Sequence, residues 1–511
     1  MPFSSNEHLT FPVIIMRNGG LDGVALQARE YRRLLNKLDI SVQVITGRCE
    51  TKFAPRNPIG HKQSVVSRLD FYHNDSMLLF ANQFTHGPET EGVQTISDAQ
   101  WLELFESHKQ KIRKRLEKLL RACHHNTPVL VYNLISLRHA QPAAAAALLE
   151  IMQKYPERPF MSHSADPDAE RPEKIQRIKP FALQKISAYG SDKEYSGGPY
   201  KLNNLYHIVL NPTQRESFLH KYDIPRDHIF EIPDFLEFAS SKPFIRMNPR
   251  KIFLQFLRER KLKKSSRNYK YETGHIDRET IIFVSPVRPV YRKRLKEAML
   301  VAREYRATRN IDVAFVVTHP DKDDKQYFAE TIDFAEKIGL PYYHLGKDFS
   351  LETLDSVYEN LAPMKTIGVI ASSAGGWENA LNEMARACIP FYMDSKLNSF
   401  KPLTEEIGMK THGTDFGLVT PLVEAAEKGD YTPGCYQNEA VTADAMNWVD
   451  KMFIGSVRKE LIEHNYVKAY DYLSHDATMP KLVNGIKHIY SRHIKPKQVE
   501  IKEVKAEPVL V

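Results

Sequence analysis

Cysteine is scarce and its placement builds nothing: Cys49, Cys123, Cys388 and Cys435 are scattered along 511 residues with no C-x-x-C spacing. That excludes a disulfide framework and a zinc knuckle, and it leaves free, reduced thiols as the expectation. No stretch approaches the roughly 20 uninterrupted apolar residues of a membrane-spanning helix. The opening MPFSSNEHLTF lacks the basic and apolar regions of a secretion signal, so a soluble, cytoplasmic chain is expected. No short-period repeat is visible either, so two halves of this chain can resemble each other in architecture only.

What is present exceeds a single core. At 511 residues and 42% hydrophobic, the chain can fill two or three cores, and two large domains are expected. The net charge of +8 suggests nucleic acid or membrane as a partner, but two runs carry much of the excess. HKQKIRKRLEKLLR (108–121) interleaves its cations with Ile112, Leu116, Leu119 and Leu120 at helical spacing, the pattern of a surface helix with a solvated basic face. The segment 246–270, with RERKLKKSSRNYK, reads as a linker or surface excursion. Either run is a candidate for peripheral contact with an anionic membrane or an acidic acceptor, and no nucleic acid is expected as partner.

Short β-rich runs alternate with longer helical ones, the signal for parallel sheets covered by helices on both faces. FPVIIM, SVQVITG, SMLLFAN, PVLVYNL, RPFMSHS, KISAYGS and HIVLN read as strands of a first domain, with helices at VALQAREYRRLLNKL and QPAAAAALLEIMQKY. TIIFVSPV, IDVAFVVTH, PYYHLG, TIGVIAS and FYMD read as strands of a second, with helices at YRKRLKEAMLVAREYRAT and QYFAETIDFAEKIG between them. The expected division is an N-terminal Rossmann-like domain over 1–240, a basic linker over 241–278, a C-terminal Rossmann-like domain over 279–465, and terminal helices and tail over 466–511. Ligands of open α/β sheets bind beyond the carboxyl ends of the strands, so two such domains facing each other are expected to form a cleft.

The most informative stretch is SSAGGWENALNEMARACIP, from Ser372 to Pro390, with a glycine pair at a turn followed by an amphipathic helix. Helix-start N–H groups sit at the positive end of the dipole, and glycine lets an anion come close, so Gly375 and Gly376 suggest a phosphate cradle. Glu383 inside that helix offers a carboxylate for sugar or ribose hydroxyls. Three more elements fall at the ends of expected strands: Asp22-Gly23 before a helix, His163 after RPFMS, and Arg288 with Lys293 in SPVRPVYRKRLK. Each also has a plain structural reading: a helix cap, a core histidine and a solvated basic turn. Asp166-Pro167-Asp168 reads D-x-D, but it lies in a proline-containing polar loop where such spacing is common.

SPVRPVYRKRLKEAM resembles the Arg-x4-Lys element of family 4 retaining glycosyltransferases of GT-B fold, and GGWENALNEMARACIPFYMD resembles their downstream Glu-x7-Glu element. NGGLDGVALQ, YNLISLRHAQPAAAAALLE and NPTQRESFLHKYDIPRDHIFEIPD resemble N-terminal parts of a bacterial-type branch, in the right order. The resemblance implies a hexosyltransferase of α/β, GT-B fold. It would move a sugar from a UDP- or GDP-sugar to an acceptor hydroxyl with retention, using no metal and no cofactor besides the donor. It also implies that Arg288 and Lys293 bind the leaving diphosphate and that Glu383 holds the ribose. Gly23, Asp22, Gly375, Gly376, Trp377 and Asn379 would surround the donor, and His163 would sit by the transferred sugar. Gly375 stands where the family has its first glutamate, and Glu378 is the candidate to replace it; Asp234 stands for the usual asparagine. The acceptor, whether sugar, phosphorylated small molecule, lipid or protein, is not named by any motif. A GT-B hydrolase or silent sugar-nucleotide binder, and a protein that mainly binds anionic lipid or nucleic acid, are the alternatives.

Overall fold

A computed structural model of the chain describes residues 10–17, 23–38, 40–48, 63–90, 92–123, 127–165, 167–168, 171–187, 200–243, 279–318, 325–344, 354–373 and 378–493. Contacts divide the chain into two compact units, Met1–Glu237 with His475–Val511, and Phe238–Ser474. The terminal helices are therefore shared out: the Gly455–Leu473 helix belongs to the second unit and the His475–His493 helix to the first. The basic segment 246–270 lies outside the described residues.

The first unit is built on β1 (Thr10–Met16), β2 (Ser41–Thr46), β3 (Gln63–Val65), β4 (Val129–Tyr132), β5 (Phe160–His163), β6 (Leu205–Val209) and β7 (Ile229–Glu231). They lie in the order β3-β2-β1-β4-β5-β6-β7, and every neighbouring pair is parallel. The second unit carries β8 (Ile281–Ser285), β9 (Val313–Val317), β10 (Tyr342–His344), β11 (Thr366–Ile370), β12 (Phe391–Asp394) and β13 (His412–Thr414). Their order is β10-β9-β8-β11-β12-β13, again parallel throughout. Strands such as VLVY, FMSH, LYHIV, IIFVS, VAFVV and TIGVI are buried at every position, as parallel strands covered on both faces must be.

In both sheets the chain runs outward from a central strand, returns, and continues on the other side. The switch points fall between β1 and β4 and between β8 and β11. Consecutive crossovers there leave in opposite directions, which opens a crevice at the carboxyl ends where ligands of such sheets bind.

Two runs expected as strands are helical. Ser76–Asn82 (SMLLFAN) lies in the Asn74–Asn82 helix: His73 Nδ1 caps it by accepting the Asp75 N–H at 3.2 Å, and Ser76 and Leu79 are buried three apart on one face. Of KISAYGS, Lys185–Ser187 end the Pro180–Ser187 helix, which starts on proline and buries Ala182 and Ile186 four apart; the remainder lies outside the described residues. The basic run belongs to the Asp98–Arg121 helix, which buries Trp101, Phe105, Ile112, Leu116 and Leu120. Some of its cations are paired, Lys109 and Arg113 with Glu150 among them. Cys123, Cys388 and Cys435 are free thiols, and no helix among the described residues is long and apolar enough to cross a membrane.

Gly368 shapes the second unit. A Cβ there would come within 2.1 Å of Met384 Sδ and 2.9 Å of Phe391 Cβ, so glycine lets the Asn379–Arg386 helix lie directly on β11. Gly368→Val is expected to destabilise the protein by about 1–3 kcal/mol through overpacking. A denaturant titration against wild type measures it, and an unchanged midpoint would contradict this account of the packing.

Candidate functional site

Arg288 and Lys293 follow β8, and the Ser372–Glu383 stretch follows β11, so the two loops flank the switch point of the second sheet. They are tied together. Lys293 Nζ donates to Glu378 Oε1 across them, and Arg292 Nη1 stands 4.0 Å from the same oxygen. The Ser373 N–H donates to the Arg292 carbonyl at 2.8 Å, and its hydroxyl does so at 3.2 Å.

Lys293 is 5% exposed. Burial pushes its ammonium down to about 8, the charges of Arg292 and Arg288 add to that, and Glu378 opposes it. Lys293 and Arg292 thus face one carboxylate, and Arg288, like Arg292 partly exposed, is near enough to act on the Lys293 charge. An anionic ligand with several oxygens suits this set better than a lone carboxylate does.

Glu378 occupies the cap position of the Asn379–Arg386 helix, yet its side chain makes no capping hydrogen bond because it is turned to Lys293. The first N–H groups of that helix therefore retain their capacity for an anion. Asn379 opens the helix and Glu383 lies inside it, 6% exposed, accepting a 2.8 Å hydrogen bond from the Tyr358 hydroxyl. Ser372 Oγ, just past β11, is buried with no hydrogen-bond partner among the described residues. Gly375, Gly376 and Trp377 lie outside the described residues, as does Asp22. Gly23 is the exposed first residue of the Gly23–Asn36 helix.

His163, at the end of β5 in the first unit, is fully buried. It stacks on Tyr132 with ring centroids 4.1 Å apart, and the Tyr31 ring meets it edge-on at 5.6 Å. Its Nε2 is 3.4 Å from Asp234 Oδ1, but the geometry makes no hydrogen bond, and neither ring nitrogen has a partner among the described residues. Asp234 instead accepts from the Tyr132 hydroxyl at 2.8 Å. Burial pushes the His163 imidazole down to about 3, so it is neutral at physiological pH and can work only as a dipole or proton acceptor, not as a fixed cation.

Asp168 of the D-x-D triplet is engaged by the short helix Arg138–Ala140 that follows β4. It accepts the backbone N–H groups of Arg138 and His139 at 3.0 and 3.4 Å and sits 2.5 Å from His139 Nδ1. Asp166 lies outside the described residues. Sequence reasoning overlooked Arg292, although it stands beside Lys293 in the same motif, and Tyr358, whose link to Glu383 no local spacing signals.

No protein-family model matches the chain, and no curated protein matches it. Solved structures do. The N-terminal domain of a Candida albicans trehalose-6-phosphate phosphatase is similar at TM-score 0.60 and 10% identity, covering 95% of this chain and 98% of that one. Sucrose-phosphate synthase from Thermosynechococcus elongatus is similar at TM-score 0.58 and 10% identity, over 94% of this chain and 100% of that one. So is S. aureus TarM, solved in complex with Fondaparinux, alpha-GlcNAc-glycerol and UDP, at TM-score 0.56 and 10% identity over 94% and 100%. At these identities the likeness establishes the fold: two parallel-sheet units of GT-B type.

Two pH effects follow. His163 has a folded value near 3 against an ordinary 6.5, so the unfolded chain binds the extra proton, and stability is lost as pH falls from about 6.5 towards 3. His163→Phe fills the same space with no unpaired nitrogens and is expected to lessen that acid loss in urea titrations, without lowering stability at pH 7. Lys293 has a folded value near 8 against an ordinary 10.5; the penalty on its charge is full below pH 8 and is relieved between 8 and 10.5. The difference in stability between wild type and Lys293→Met should therefore shift in favour of wild type across that interval, and a constant difference would contradict the buried, desolvated ammonium.

Proposed function

We propose that this chain is a glycosyltransferase that moves a sugar from a UDP- or GDP-sugar to an acceptor hydroxyl, with retention of configuration and no metal at the reaction centre. The observation that carries the reading is the buried Lys293, bridged to Glu378 across the β8/β11 switch point with Arg288 and Arg292 beside it. A GT-B fold supports it, as does the UDP bound by TarM, one of the similar structures.

The chemistry follows from charge. When the bond from the anomeric carbon to the diphosphate oxygen breaks, positive charge grows on the sugar and negative charge on the leaving oxygen, as in glycoside hydrolysis. Fixed cations aimed at that oxygen stabilise the transition state more than the ground state. Lys293 and Arg288 take this role, joined by Arg292. Asn379 offers an N–H to the phosphates from the start of its helix, and Glu383 holds the ribose from a carboxylate positioned by Tyr358; by the family resemblance Gly375, Gly376 and Trp377 belong to the phosphates and Gly23 with Asp22 to the donor. The resemblance assigns His163 to the transferred sugar; its ring is fully buried and neutral, so it adds no positive charge to oppose the one growing on the sugar. The chain works as a soluble cytoplasmic protein, and its acceptor stays open among sugar, phosphorylated small molecule, lipid and protein.

A second reading keeps the fold and loses the transfer: a nucleotide-sugar hydrolase or a silent binder. Gly375 favours it, since a residue without a side chain replaces the carboxylate that usually holds the transferred sugar. A protein that chiefly binds anionic lipid or nucleic acid through its basic runs would be indifferent to changes at Arg288 and Glu383.

UDP or GDP is expected to raise the melting temperature of the wild-type protein, and the Arg288→Ala/Lys293→Ala variant is expected to lose that rise. Absence of a shift with every nucleoside diphosphate would overturn the proposal. Where a nucleotide sugar is turned over, nucleotide release with no sugar adduct would select the hydrolase reading.

A further inference from the structure

We propose that His73, Asp75 and His108 form a binding site for one divalent transition cation, with zinc the best match to the donor set, apart from the residues assigned to sugar transfer. His73 caps the Asn74–Asn82 helix, Asp75 lies in its first turn, and His108 comes from the Asp98–Arg121 helix. One ligand atom from each lies within 4.8 Å of the other two. His108 Nδ1 is 3.2 Å and His73 Nδ1 4.0 Å from Asp75 Oδ2. Tetrahedral zinc, with bonds of about 2.0–2.2 Å to nitrogen and oxygen, holds its ligand atoms about 3.4 Å apart, so small side-chain movements close the site.

His108 Nδ1 lies 3.1 Å from Arg68 Nη1 and 3.2 Å from Asp75 Oδ2, so without a metal it either accepts from the guanidinium or donates to the carboxylate; a metal at Nδ1 requires the tautomer with no proton there. Its proton is then on Nε2, directed to Ser76 Oγ at 3.2 Å, and that hydroxyl passes its own proton towards the Arg68 carbonyl at 3.5 Å. His73 Nδ1 carries no proton, since it accepts the Asp75 N–H at 3.2 Å, and it would give up that cap to ligate a metal. A buried histidine whose far nitrogen is held by a hydroxyl has the outer support that metal-bound imidazoles use.

The Asp75 carboxylate, 3.2 Å from His108 Nδ1, is balanced either by an imidazole N–H or by a cation beside it. The Arg68 guanidinium is such a cation, within hydrogen-bond reach of both groups, on a side chain partly open to solvent. A metal ion would take its place and release Arg68 outward. Three protein donors leave a fourth position to water, which suits an exchangeable ion that ties the two helices together.

The test uses the full chain, stripped with chelator and titrated with zinc chloride, with metal content measured after gel filtration. One zinc per chain and a raised melting temperature are expected. Asp75→Asn and His108→Ala should each remove the binding, and Ser76→Ala should weaken it by about 10- to 100-fold. Arg68→Met, which deletes the competing cation, should tighten it, and Cys435→Ser, at an exposed thiol, should leave it unchanged. Should His108→Ala fail to fold, the tetrahedral absorption of the cobalt-loaded wild type and its loss in His73→Ala serve the same purpose. No zinc on the wild type at micromolar excess, undiminished binding in Asp75→Asn and His73→Ala, or weaker binding in Arg68→Met would each overturn the site.

Discussion

A lysine taken out of water needs an anion, and in the second unit that anion is Glu378. The pair joins the loop after β8 to the loop after β11, so the two stretches that frame the switch point are held by an ion pair between two mostly buried groups, beside the hydrogen bonds from Ser373 to the Arg292 carbonyl. Removing either partner of such a pair leaves a buried charge uncompensated, a cost of about 3–5 kcal/mol where burial is complete. The contact needs the Asn379–Arg386 helix close to β11, which Gly368 permits by having no side chain. Chain chemistry at one strand position therefore governs where a carboxylate eleven places or less downstream can reach, and hence which cations are drawn inward.

The first unit meets its polar groups differently. His163 and Tyr31 are buried without hydrogen-bond partners among the described residues for their ring nitrogens and hydroxyl, and their surroundings are aromatic. Burial answers the charge question by keeping both neutral: the imidazole is pushed down and the phenol up, the latter reinforced by Asp234. The carboxylate of Asp234, in a position where the resembling family carries asparagine, keeps the Tyr132 hydroxyl as donor. An amide oxygen could accept the same bond, so the replacement preserves the contact while adding a negative charge 3.4 Å from the imidazole.

The parallel sheets were legible because strands buried on both faces are continuous apolar runs, and TIGVI or VAFVV has no competing helical period. The same rule failed at SMLLFAN. There a five-residue apolar run, Met77–Ala81, is part of a helix packed on one side only, and what decides it is the cap made by His73 and the three-residue spacing of its buried positions. Arg288, Lys293 and Glu383 could be picked out from their places at strand ends and in the following helix, and Glu378 only through the resemblance, as the neighbour of a missing glutamate. Their pairing could not. That Lys293 is buried, that Glu378 answers it and that Tyr358 holds Glu383 are consequences of packing between segments 25 to 85 residues apart.

Glu378 cannot serve two masters at once. If its carboxylate replaces the missing side chain at Gly375 and holds hydroxyls of the transferred sugar, it must first leave Lys293, and Lys293 must then find another anion. A diphosphate provides one, with more oxygens than the carboxylate it displaces and with Arg288 and Arg292 already at hand. The sugar contact would thus become available only when the diphosphate is in place. A free sugar, carrying no such anion, would find Glu378 still engaged, and discrimination in favour of the intact donor would follow from the ion pair itself.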